Sequence, residues 1–453
     1  MLVGLWIGKT AGRFGADRRG NFGMMLAVTA PLLALAAGYG LNIAQMSMTR
    51  SNLLAALDSA ITSTARDLTT GAIDEDQAHD TIRAFLIANG VRGFAAEDRI
   101  SLDDVVVDKA ARTVSATASV TIDVAFPLFG IGNQQKITTD SAAVYSDRRI
   151  EVGMMLDLTT SMRGQKLRDL KTAAGNAVDA LLGGQDPSKA RVRVAMVPYS
   201  HAVNVGRSIA EQAVFVETSS TGRVAEPPAN DAPIAVATRP DYCATERKGT
   251  YRISDAGPHV AMVNRDLLLD SFAAGHRMSN CPAAEIVPLT ANAGTLTRTI
   301  DRFVADGATG GHIGIQWTWY MLSEKWKNVV GSAAAAAPHD PKKVGKYAIL
   351  MTDGEFTAHF EDASSLSQVF DIRGKEPSMR QAKELCEAMR GDGIEIFTIG
   401  FKLENEAARG VMRDCASPDR GETRHFFDTA NGEQLNAAFM EIVRNIERLA
   451  LTR

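Results

Sequence analysis

Three oxygen-bearing side chains, Asp157, Thr159 and Ser161, follow the apolar run 152–156 at two-residue spacing. One carboxylate and two hydroxyls are the ligand types that a hard divalent cation takes, because such ions bind oxygen. A continuous apolar run of this length reads as a strand covered on both faces of a sheet. Open parallel sheets place their sites at the carboxyl ends of such strands. A second run, 347–351, ends in Thr352-Asp353-Gly354, so Asp353 is expected on the same sheet edge as Asp157. Thr309 lies in the glycine-flanked turn DGATGGHIG ahead of a helical segment. Glycines there let backbone approach an ion closely.

The elements that must hold these residues are visible from 149 onward. Strand-like runs at 152–156, 192–197, 347–351, 394–399 and 425–427 alternate with helical stretches that include 166–182, 379–390 and 433–449. Alternation of this kind implies an α/β domain, a doubly wound and mostly parallel sheet with helices on both faces. Between about 202 and 288 the alternation lapses into Pro-rich sequence such as EPPANDAP, and Cys243 and Cys281 fall there. This segment reads as an insertion without a core of its own, stapled by that cysteine pair. The Ala-rich stretch 332–338 reads as a surface loop. Upstream, 114–124 alternates apolar and polar residues strictly. With strands expected near 101–107 and 136–145, and a short helix through Ile82, Phe85 and Leu86 that stops at Gly90, it makes a small α+β domain within 49–148.

Net charge is −4 over 453 residues with 23% charged, so no basic field exists to attract nucleic acid. The four cysteines, Cys243, Cys281, Cys386 and Cys415, contain no CxxC pair. Two disulfides in an oxidising compartment are therefore a simpler reading than a zinc site or four buried thiols. Lys9, Arg13, Arg18 and Arg19 precede the uncharged stretch 22–48, which is long enough to cross a bilayer as a helix. The positive side stays in the cytoplasm, so residues 1–21 are expected inside and everything after the span outside. Its apolar core exceeds an ordinary signal-peptide core, which favours an uncleaved anchor over a cleaved leader. Apolar residues from Leu53 to Leu68 recur at helical spacing and extend the anchor into a stalk. The early GLWIGKT is one residue short of a phosphate loop and no strand precedes it.

Taken in order, Asp157, Thr159, Ser161, Thr309 and Asp353 resemble the metal-ion-dependent adhesion site of von Willebrand factor A domains, with DxTxS in place of DxSxS. The resemblance covers roughly 149–451. It implies that the hydroxyls bind Mg²⁺, or Mn²⁺ or Ca²⁺, that Asp353 acts through water, and that a partner's carboxylate completes the octahedron. Thr159 departs from the usual serine, and its branched side chain narrows the available rotamers. The segments RRGNFGMMLAVTAPLLALAAGYG and RSNLLAALDSAITSTA resemble the membrane segment and stalk of TadE/TadG-like proteins. WTWYMLSEKW, the positions of Cys386 and Cys415, and the closing helix resemble the same group. TadG-like members pair this anchor with a von Willebrand A domain and serve assembly of Flp pili, the tight-adherence system. The resemblance thus implies a single-pass protein of a bacterial inner membrane with its C-terminal domain in the periplasm. It also implies pilus or envelope assembly components as partners and no catalytic residues. No Glu follows closely after Gly20, so pilin-type processing is not implied.

Other readings compete at each position. Thr159 or Ser161 can cap a helix starting near Gly164, and Asp353-Gly354 can be a strand-ending turn. A metal-assisted phosphoester hydrolase with Asp157 as nucleophile is an alternative function. DLTT, however, lacks a second aspartate two residues on, and neither GxSxG nor HExxH occurs. A third reading is a structural envelope protein with a degenerate ion site. Trp317, Trp319 and Trp326 read as core packing. His312, beside the threonine turn, reads as a supporting neighbour of the site or a surface polar group.

Overall fold

The computed structural model describes residues 20–90, 99–124, 126–127, 133–187, 190–218, 221–230, 239–271, 281–370 and 372–452. Lys9, Arg13, Arg18, Arg19 and the GLWIGKT segment lie outside the described residues. The chain divides into two compact units, one of residues up to 65 together with 74–145, the other of 66–73 together with 146 onward.

The expected span and stalk belong to one continuous helix, α1 (Gly20–Thr70), with Pro31 inside it and all but its last five residues in the first unit. Met25, Leu26, Val28, Leu32, Leu33, Tyr39 and Leu41 are 52–69% exposed. Among the described residues α1 is the one helix long and apolar enough to cross a membrane. Within the 22–48 stretch, Asn42 is already engaged with protein. Its Nδ2 donates to Phe126 O at 2.6 Å and its Oδ1 accepts from Phe126 N at 3.0 Å. Leu53, Leu57, Ala60 and Ile61 are fully buried, as a stalk with one apolar stripe requires. Helix α2 (Ala78–Gly90) precedes β1 (Ile100–Asp108), β2 (Thr113–Asp123) and β3 (Gln134–Val144), an antiparallel sheet in that order. The alternating sequence of β2 buries Val114, Ala116, Ala118 and Val120.

The second unit begins with β4 (Arg149–Asp157), α3 (Gln165–Leu182) and β5 (Val192–Tyr199). The insertion follows, with β6 (Val203–Asn204), α4 (Gly206–Ala213), β7 (Val214–Val216), β8 (Cys243–Ala244) and β9 (Val263–Arg265). Then come β10 (Val287–Thr290), α5 (Ala293–Asp301), α6 (Gly311–Leu322), β11 (Val344–Thr352) and α7 (Ile372–Gly391). The unit closes with β12 (Glu395–Phe401), α8 (Glu406–Cys415), β13 (Phe426–Thr429) and α9 (Gly432–Thr452). Six strands form one sheet in the order β10-β5-β4-β11-β12-β13. All neighbours are parallel except β10 with β5.

This is the expected doubly wound, mostly parallel α/β fold. Every residue of β4 after Arg149 is buried, because helices cover both faces. Ile150, Val152, Met154 and Leu156 enter a core with α3, α5 and α9. Met155 enters the opposite core with α6, α7 and α8.

Three features differ from expectation. The insertion ends in β10, an antiparallel edge strand that four residues of VPLT were too short to announce. Nor does the insertion stand apart from the core: Val203, Ile209, Val214, Cys243 and Val263 join the apolar cluster of β5 and α6. It also buries charge, with Lys248 Nζ donating to Glu217 Oε1 and Asp266 Oδ2, both at 2.6 Å. Finally, the Ala-rich stretch is a loop but not merely a surface one. Ala336 and Ala337 are buried, Ala335 O accepts from Arg193 Nη2 at 2.8 Å, and Ala337 N donates to buried Glu151 at 3.0 Å. Disulfides join Cys243 to Cys281 and Cys386 to Cys415, the latter tying α7 to α8.

Candidate metal centre

Asp157 closes β4 and is fully buried. A single 3₁₀ turn, Thr160–Met162, then leads into α3. Thr159 starts that turn with extended backbone, and its hydroxyl caps nothing. Instead Thr159 Oγ1 donates to Asp157 Oδ1 at 2.6 Å, and Thr159 N donates to the same oxygen at 2.8 Å. Ser161 Oγ lies 2.8 Å from Thr159 Oγ1 and donates to Asp353 Oδ1 at 2.6 Å. Asp157, Thr159, Ser161 and Asp353 thus form one unbroken chain of oxygens. The helix-cap reading does not describe them, because α3 is capped by Gly164, whose φ of 81° suits a residue without Cβ. The turn reading is partly right: Gly354 N does donate to Thr352 Oγ1 at 3.3 Å, while the Asp353 carboxylate points to Ser161 and Lys166.

The sheet explains the convergence. β11 runs parallel to β4 with Leu350 beside Met155, so the two strands deliver Asp157 and Asp353 to one edge. On the other side of β4, Tyr199 pairs with Asp157 in register, and its hydroxyl donates to Asp157 Oδ2 at 2.9 Å. Thr352 Oγ1 donates to that oxygen at 2.8 Å. Thr309, nearly buried, accepts at its carbonyl from Thr357 N at 2.8 Å and Ala358 N at 3.0 Å. Thr309, Ser161 and Asp353 line one cavity of about 830 Å³, together with Lys166, Glu355 and Lys402.

Burial pushes the Asp157 carboxyl up, and the negative charge of Asp353 pushes it further, to about 6, against the hydrogen bonds of Thr159 and Thr352. Two carboxylates joined through hydroxyls in a buried pocket repel one another, and a cation among them removes that repulsion. The donor set fits a hard divalent ion: neutral hydroxyl oxygens and carboxylates within hydrogen-bond reach of one another, opening on a cavity.

Sequence reasoning missed Lys166, Tyr199 and Thr352. Lys166 Nζ donates to Asp353 Oδ2 at 2.7 Å and so places a positive charge on the rim of the site. Its position in the first turn of α3 was the one available signal; Tyr199 offered none without the strand order. His312 is not a surface group. It is fully buried and faces Glu246 and Ser378. Trp317 and Trp326 pack with Tyr320 as core residues, and Trp319 Nε1 donates to Asp392 at 3.1 Å.

No family model matches this chain, and no curated protein matches it. Among solved structures it is similar to the von Willebrand factor domain of the type V pili tip protein Mfa5 from Porphyromonas gingivalis. That likeness has 15% identity over 68% of this chain and 97% of that one, with a TM-score of 0.37. It is similar to the pilus adhesin SpaC from Lactobacillus rhamnosus GG at 12% identity, over 77% of this chain and 34% of that one, with a TM-score of 0.36. A third is proximal thread matrix protein 1 from the mussel byssus with a zinc-occupied MIDAS motif, at 13% identity over 68% and 49%, TM-score 0.32. This chain therefore spans about a third of SpaC and half of the byssus protein. The chemistry of the site rests on its own residues.

Proposed function

We propose that this chain is a membrane-held binding module that grips an acidic side chain of a protein partner through a divalent ion. The observation that carries the reading is the unbroken oxygen chain Asp157–Thr159–Ser161–Asp353, whose hydroxyls serve neither as caps nor as turn anchors. Thr159 and Ser161 would hold Mg²⁺, or Mn²⁺ or Ca²⁺, with Thr309 on the facing wall. Asp157 orients the Thr159 hydroxyl, and Asp353 orients that of Ser161. When bound, the ion supplies an electron-poor centre with a position free for a partner's carboxylate. With net charge −4, the chain has no overall field that would draw an acidic partner, so the ion supplies the attraction.

The finer reading is a TadG-like role in Flp pilus assembly or adhesion, with α1 in a bacterial inner membrane, the N-terminus cytoplasmic and the metal-binding unit periplasmic. It rests on the residue resemblance, with support from the exposed apolar half of α1 and from two disulfides that suit an oxidising compartment. A hydrolytic role for Asp157 is disfavoured because both its oxygens already accept hydrogen bonds, from Thr159, Tyr199 and Thr352.

Calorimetry of the detergent-solubilised chain with Mg²⁺ and Mn²⁺ tests the proposal. Saturable heat is expected in the wild type and none in Asp157→Ala. No heat from either protein would mean a degenerate ion site. Turnover of a generic phosphoester that disappears in Asp157→Ala would establish the hydrolase instead.

A further inference from the structure

A second cluster of metal-ligating side chains lies away from the oxygen chain. Glu246 follows β8 in the insertion, His312 is the second residue of α6, and His359 lies in the segment after β11. Glu246 and His312 are fully buried and His359 is 4% exposed. One donor atom from each lies within 4.8 Å of the others.

Neighbours fix each group in the orientation a ligand needs. Glu246 Oε1 accepts from Phe360 N at 2.5 Å and Glu361 N at 2.7 Å, which leaves Oε2 for the cluster. His312 Nδ1 meets Ser378 Oγ at 2.8 Å, and His359 Nε2 meets Gln381 Oε1 at 3.2 Å. Each imidazole thus spends one nitrogen on a side chain of α7, as metal-bound histidines do on a supporting group, and His312 turns its other nitrogen to Glu246. Glu246 Oε2 and His312 Nε2 are buried without a hydrogen-bond partner. They face one another at 3.5 Å. At that separation neither atom is satisfied by a hydrogen bond of ordinary length, which costs energy in a dry interior and which a cation between them would relieve.

The spacing also suits an ion. Two ligands about 2.0–2.1 Å from a tetrahedral Zn²⁺ are ~3.4 Å apart.

We infer that Glu246, His312 and His359 form a second site, buried and selective for a transition-metal ion of the zinc type. Imidazole nitrogens favour zinc-like ions over Mg²⁺ or Ca²⁺, which take oxygen. The three ligands come from the insertion, α6 and the segment after β11, so the ion clamps the insertion to the helical layer over the sheet. The inference is independent of the strand-end site.

The test uses the full chain in detergent, stripped with chelator, reloaded with Zn²⁺ and washed in Mg²⁺ buffer. Metal is counted by mass spectrometry in the wild type, in Asp157→Ala, and in Asp157→Ala combined with His312→Ala or His359→Ala. One zinc equivalent is expected to persist in Asp157→Ala and to be lost from both combined variants. Because those variants can lose metal by misfolding, X-ray absorption on the zinc-loaded Asp157→Ala protein supplies a second readout. Scattering from two imidazoles is expected there. Zinc absent from Asp157→Ala, or present without imidazole scattering, would overturn the inference.

Discussion

Thr159 is the one β-branched member of the oxygen chain. Its Oγ1 already sits 2.6 Å from Asp157 Oδ1 and 2.8 Å from Ser161 Oγ, so the one rotamer that the site needs is occupied. A β-branched side chain held in its productive rotamer loses little by being stiff. Thr159→Ser is therefore expected to change Mg²⁺ affinity by less than about threefold, whereas Thr159→Val, which keeps the shape and removes the hydroxyl, is expected to cost about tenfold or more. Calorimetric titration separates the two, and a serine variant binding far more tightly than the wild type would show that the methyl obstructs the ion. Lys166 acts in the opposite direction. Its ammonium on Asp353 Oδ2 competes with any cation in the pocket. Removing one unit charge at a partly exposed position is worth ~1 kcal/mol, so Lys166→Met is expected to bind Mg²⁺ about fivefold more tightly. Unchanged or weaker binding would mean that Lys166 holds Asp353 in place rather than opposing the ion.

Among the elements, α6 sets how closely the helical layer approaches the site. All twelve of its residues are buried. A Cβ at Gly314 would stand 2.8 Å from the Tyr199 ring, and one at Gly311 would stand 2.1 Å from that of Phe356. Tyr199 in turn holds Asp157 Oδ2. Gly314→Ala is thus expected to lose about 1–3 kcal/mol in chemical denaturation by overpacking, and to weaken ion binding by displacing Tyr199. Stability and affinity equal to the wild type would show that the layer is not close-packed there. The disulfide between α7 and α8 closes a 29-residue separation. Cys386→Ser with Cys415→Ser is expected to cost about 3–4 kcal/mol by loop entropy, seen as a lower denaturation midpoint. These packing relations also mark what the sequence left legible. The parallel strands announced themselves because burial on both faces demands unbroken apolar runs, and the convergence of the oxygen-bearing side chains at 157, 159, 161 and 353 was legible because they follow the ends of those runs. Tyr199 was not, since its adjacency to Asp157 is a matter of strand order. The burial of His312 was not legible because a helix buried on every side shows no polar face from which to read the direction of a side chain. Helices α5 and α8 did carry a readable sign, the N-cap asparagines Asn292 and Asn405, whose side chains accept from Thr295 N and Ala407 N.

At the scale of the whole chain, α1 bears on where the protein is held. Apolar side chains from Met25 to Leu41 lie more than half exposed on several sides of the helix, a distribution that water penalises and lipid does not. The protein-facing part begins at Asn42, whose amide is committed to Phe126. If α1 enters a bilayer, Gly20 to Leu41 is the part left for it, about 22 residues or ~33 Å of helix, a length comparable to the hydrocarbon thickness. Pro31 falls in this part, where a membrane helix tolerates it better than a soluble one. Leu33, 69% exposed, lies near the middle. An arginine there costs about 2.5–3.5 kcal/mol of insertion free energy. The wild-type chain is expected to stay with the membrane fraction through high-salt and carbonate washes, and Leu33→Arg to appear in part in the soluble fraction. Release of the wild type by salt alone would mean that α1 does not span, and the exposed apolar half of the helix would then need a protein partner to cover it.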